Sequence, residues 1–122
     1  MINAFLAMQV STIDLSTNPQ NNIVIQAGGI GLLCPNGVLM QDLTLAASSS
    51  NITLAFPNIV TTALFICITA ITTTDLIVKV GSGSPVSLSI PSHQSVMLYN
   101  LTSSQVSLSS AAGGQVQYAI GG

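Results

Sequence analysis

In "VSLSI", Val86, Leu88 and Ile90 alternate with Ser87 and Ser89, the two-residue period of a strand with one face in a core and the other lined with hydroxyls. "NITLAF" repeats the pattern with Ile52, Leu54 and Phe56. From residue 43 onward, short β-rich runs of this kind alternate with small polar turns. Strands are expected at 43–45, 51–56, 63–71, 76–80, 86–90, 95–100, 105–109 and 115–120. "ALFICITAI" is exceptional, because Phe65, Cys67 and Ile71 make the second face apolar beside Leu64, Ile66 and Ile68. Such a strand is either central or covered on its second face by a partner.

The breaks support this register. "FPN" at 56–58, "VGSGSP" at 80–85 and "IPS" at 90–92 place Pro or Gly where a ladder must stop, since Pro cannot donate to it and Gly accepts unusual dihedrals. "TTTD" at 72–75 and "AAGG" at 111–114 read as further turns. The pattern predicts an all-β fold, a single antiparallel β-sandwich or jelly-roll-like barrel spanning residues 43–122.

Residues 1–42 are less regular and are expected to form an N-terminal arm that adds one or two strands to the sandwich or to a neighbouring subunit. "STNPQNN" at 16–22 reads as a loop, "IVIQA" at 23–27 as a strand, "GGIG" at 28–31 as a flexible break and "CPNG" at 34–37 as a turn. Residues 3–9 are the one candidate helix.

Composition narrows the function. The 122 residues include one lysine, three aspartates and no arginine or glutamate, so 3% are charged against about 25% in ordinary domains. A net charge of -2 gives little repulsion between copies, which suits a protein that lives against other protein. With Lys79 as the only strong cation, neither phosphate contacts nor an anionic membrane surface can be served. No apolar run reaches the roughly 20 residues of a membrane span, and three Phe, two Tyr and no Trp cannot furnish the girdles of an outer-membrane barrel. The N-terminus lacks the basic segment of a secretory signal, so synthesis in a cytoplasm is expected, with Cys34 and Cys67 as buried thiols.

Groups able to do chemistry are few: Asp14, Asp42, Asp75, His93, Lys79, the two cysteines, Tyr99 and Tyr118. The aspartates fall in expected turns or strand ends, where Asp caps turns, and His93 follows Pro91 and Ser92 in a connection. No G-x-S-x-G elbow, zinc-like spacing or phosphate-binding glycine motif is present. The sequons "NIT" at 51–53 and "NLT" at 100–102 are explained by Asn/Thr richness. No enzyme activity, catalytic residue, cofactor or metal is expected.

The order "NITLAFP", "LFICITAI", "TDLIVKVGSGSPVSLSIP" and "SHQSVMLYN" resembles a small β-sandwich domain of tailed-bacteriophage virion proteins, found in tail-fibre, head-fibre and capsid-decoration components. The resemblance covers under half of the chain and carries no catalytic residue. "NLTSS" follows Tyr99 where such domains often continue into an Asp-Gly turn. It implies a virion structural role, commonly as a homotrimer. A short chain starting at Met1, with no long shaft, points to a capsid decoration (cement) protein. That protein would bind the major capsid protein on the outside of a phage head, with residues 1–42 as the part that contacts the capsid, and be assembled in the host cytoplasm. The alternative is a tail-fibre or head-fibre module that binds a host receptor or glycan, for which Tyr99 and Tyr118 are a thin supply of stacking surfaces. A small hydrolase using His93 is a third reading. Lys79, opposite in phase to Val78 and Val80, is expected to point outward and discourage stray edge pairing.

Overall fold

The computed structural model describes residues 2–12 and 23–122, with side-chain surroundings from Cys34 onward. The expected loop at 16–22 and Asp14 lie outside the described residues.

Ten strands follow one another: β1 (Ile2–Thr12), β2 (Ile23–Cys34), β3 (Val38–Leu45), β4 (Ser49–Thr53), β5 (Thr62–Ala70), β6 (Leu76–Val80), β7 (Val86–Ile90), β8 (Ser95–Thr102), β9 (Val106–Ser110) and β10 (Gly114–Gly121). One 3-10 turn, Ser103–Gln105, separates β8 from β9 and is closed by a bond from Thr102 N to Gln105 Oε1 of 2.9 Å. Among the described residues no helix is long and apolar enough to cross a membrane.

β3 to β10 build two antiparallel four-stranded sheets, ordered β3-β10-β5-β8 and β4-β9-β6-β7. Pairing is nested. β6 meets β7, β5 meets β8, β4 meets β9 and β3 meets β10, as if one long hairpin had been rolled over itself with its tip at Gly81–Pro85. Eight strands wound this way form a jelly roll, so the all-β sandwich expected from the alternation is the fold observed.

The core lies between the sheets. Ile66, Ile68 and Ala70 of β5 align with Ile120, Tyr118 and Val116 of β10, while Val78 of β6 aligns with Leu108 of β9, and all are buried. Ile52, Leu54 and Phe56 keep their common phase although the ladder of β4 ends at Thr53, with Leu54 buried and its two companions packed against the core. Val86 is in phase with Leu88 and Ile90 but remains 64% exposed at the first position of β7, an edge strand with a neighbour on one side only.

Several expectations for the first part of the chain need correction. The sandwich starts at Val38, not 43: β3 pairs with β10 from Val38–Gly121 to Leu45–Gly114. The candidate helix at 3–9 is strand. β1 pairs antiparallel with β2 from Ile2–Cys34 to Thr12–Ile23, so the arm is a regular two-stranded ribbon. The glycines at 28–31 do not interrupt β2. The register slips between Leu6–Ile30 and Met8–Ala27, so Gly28 and Gly29 stand opposite Ala7 as a bulge. The ribbon is a sheet of its own, separate in its pairing from both sheets of the sandwich.

The turn expected at 34–37 is present, closed by Gly37 N donating to Cys34 O at 3.1 Å. The β9–β10 turn uses its glycines for a steric reason. Gly113 has φ +77°, and a Cβ there would lie 2.7 Å from Leu45 O and 2.8 Å from Ala47 N.

Candidate interaction surfaces

The outer faces of the two sheets differ in chemistry. On β4-β9-β6-β7, one row across the strands is Thr53, Ser107, Lys79 and Ser87. Lys79 points outward as its phase predicts, and its Nζ donates to Asn51 Oδ1 at 3.2 Å. A groove of about 410 Å³ runs past Asn51, Lys79, Ser82, Pro85 and Ser107. The alternation of Ser with Leu or Val in β7 and β9 produces this hydroxyl-lined face directly.

On β3-β10-β5-β8, the rows are Asp42, Gln117, Thr69 and Ser95, then Met40, Ala119, Cys67 and Met97, then Val38, Gly121, Phe65 and Tyr99. The first row is polar, with Thr69 Oγ1 and Ser95 Oγ 2.7 Å apart. The other two contain no charge. Met40 is 79% and Tyr99 51% exposed, whereas Phe65 is buried although it points to this outer side. Its cover is local: a side chain at Gly121 would run into the Phe65 ring and the Cys34 sulfur, so these groups fill the space over Gly121. A shallow cleft of about 290 Å³ opens beside Met40, Asp42, Cys67 and Ala119. That is at the small end for a ligand pocket.

No disulfide joins Cys34 and Cys67. Cys34 is fully buried; Cys67 is half-buried, and burial pushes its thiol pKa up while a hydrogen bond with Thr69 opposes the shift.

The remaining titratable groups are spread over the sandwich. Asp42 is exposed within β3, not in a turn or strand end as expected. Asp75 does cap a turn: its Oδ1 accepts from Ser110 Oγ at 2.5 Å, and Oδ2 accepts from the backbone of Ala111 and Ala112 at 3.0 and 3.1 Å. The Ser110 bond first, then those backbone donors, hold its carboxyl below the usual range. His93 sits exposed in the β7–β8 turn at φ 64°, its backbone N donating to Ala70 O at 2.8 Å. Tyr118, one of the two aromatics considered for stacking on a glycan, is buried in the core, which leaves Tyr99 as the exposed one. Among the described residues no three His, Cys, Asp or Glu side chains gather as a metal site.

Sequence reading missed the apolar outer face as a unit. Each strand contributes only one residue to the row of Met40, Ala119, Cys67 and Met97, and their adjacency exists only once the sheet order is known. The partial signal was the two-sided apolarity of "ALFICITAI". No family model matches the chain, and neither a curated protein nor a solved structure does.

Proposed function

We propose that this chain is a non-enzymatic structural protein of a phage virion, a capsid decoration protein that binds the outer surface of the head as a homotrimer and stabilises it. The observation that carries the reading is the division of the chain into a jelly-roll body and a separate ribbon, β1–β2, whose 23 residues contain no charged side chain. Isolated two-stranded ribbons are marginal in water. A ribbon of this composition gains stability by lying against protein, and the major capsid protein is the surface that a decoration protein meets. Jelly rolls recur in viral capsid proteins as well as in lectins and cupins, so the fold agrees with this role without selecting it.

The fibre alternative draws less support, because a glycan-binding face wants clustered aromatics and, among the residues whose side chains are described, Tyr99 is the one exposed aromatic. The test is to mix the protein with decoration-free heads and follow co-sedimentation and survival on heating. Binding and a higher survival temperature are expected. Attachment to host cells with no attachment to heads would replace this reading with the fibre one. A His93→Ala variant should behave as the parent does in both assays.

A further inference from the structure

We infer that the outer face of the β3-β10-β5-β8 sheet is the surface through which copies of this chain associate. The inference deepens the homotrimer part of the proposed function by naming the face.

Three observations converge on it. First, the face is apolar where it is most exposed, at Met40 and Tyr99, with Met97 and Cys67 half-buried between them. The opposite outer face of the sandwich presents Ser, Thr and Lys79 around one apolar side chain, Ile77, which is 36% exposed, so burial rewards the side of Met40 and Tyr99 more. Second, charge selects the occupant. The face carries one ionisable carboxylate, Asp42, in its polar marginal row, and offers no cation to recruit an acidic partner. A second copy brings the same thioether and aromatic rows, and a net charge of -2 opposes its approach only weakly. Met and Tyr are residue types enriched in interface cores.

Third, the area suffices. With strands about 4.8 Å apart and same-face side chains about 6.8 Å apart, the three rows over four strands cover roughly 400 Å². Three such faces meeting about a threefold axis bury roughly 1,200 Å² in total, the low end for a specific interface. Association in the micromolar range is therefore expected.

The experiment is sedimentation velocity of the full chain from about 1 to 200 μM, alongside Met40→Lys, Tyr99→Lys and, as a control on the opposite face, Ser87→Lys. All three positions are exposed, and circular dichroism checks that each variant is folded. The parent is expected to associate, Met40→Lys and Tyr99→Lys each to raise the dissociation concentration about tenfold or more, and Ser87→Lys to leave it unchanged. A parent that stays monomeric throughout overturns the inference, as does dissociation caused by Ser87→Lys alone. Head binding is scored separately. A monomer that still decorates heads removes this inference and keeps the decoration role. An oligomer, broken by Met40→Lys, that ignores heads keeps the inference and removes that role.

Discussion

Tyr118 of β10 donates its phenol hydrogen to Gln41 Oε1 at 2.6 Å, across the strand pair in which the two residues stand opposite each other. The ring is 5% exposed while Gln41 is open to solvent, so this bond ties the core to the sheet's outermost strand. A neutral hydrogen bond of this kind contributes about 0.5–1.5 kcal/mol net. Tyr118→Phe keeps the ring and is expected to lower unfolding stability by about 1 kcal/mol in urea titration. A loss several times larger would mean that the hydroxyl supports more than this pair.

Gly113 is the position where the backbone leaves least choice. Its φ of +77° and the closeness of Leu45 O and Ala47 N mean that even a methyl group must push the β3–β4 connection aside. Gly113→Ala is expected to destabilise by about 1–3 kcal/mol. Gly83 also has positive φ but has open space around it, so Gly83→Ala should be the milder substitution in the same thermal assay.

Asp75 gives the fold a pH dependence of known sign. Its carboxyl is held below the ordinary range near 3.9 by Ser110 and the backbone of Ala111 and Ala112. The folded state therefore favours the ionised form. Its contribution is fully present above the unfolded pKa and is lost as pH falls through the lower, folded one. The midpoint of thermal unfolding should drop as pH decreases below about 4, and Asp75→Asn should flatten that slope while lowering the midpoint at pH 7.

Leu108 of β9 is fully buried and in register with Ile52 on one side and Val78 on the other. Leu108→Ala opens a cavity at the centre of the second sheet and should cost about 2–5 kcal/mol. Ser107→Ala, one residue away on the hydroxyl-lined face, is expected to change stability by less than about 0.5 kcal/mol.

Cys67 offers a chemical check on its surroundings. Because burial raises its pKa, little thiolate is present at neutral pH, and its reaction with a thiol reagent should be slower than that of a small free thiol. The rate should rise sharply in denaturant.

The strands from residue 51 onward were legible because alternation in half-buried strands is written in the local sequence, as in Val86, Leu88 and Ile90. The start of β3 was not. Val38 and Met40 are apolar yet belong to the outer face, so "VLMQDLTL" hides its period and only Leu43 and Leu45 stood out. β1 was ambiguous for a related reason: its apolar residues occupy both strand phases and also fit a helical period. The outer-face rows could not be read at all, since Met40 and Met97 are brought onto one face by two intervening strands, β10 and β5. What the sequence did carry was the scarcity of titratable groups.

Gly122 closes the roll at its open end: its carbonyl accepts from Asn36 N at 2.8 Å, and its own N donates to Gly37 O at 3.1 Å. The first and last strands of the body are thereby latched side by side, and the tip of the nested hairpin at Gly81–Pro85 is farthest from them along the chain. In the body alone, without residues 1–36, a short linker from Gly122 to Gly37 with new chain ends cut between Ser82 and Gly83 would leave every strand pair in place while turning its longest loop closure into its most local one. The rolled topology thus bears on folding as well as shape: of the nested pairs β3–β10 spans the greatest chain separation, and a permuted body is expected to fold faster than the natural one.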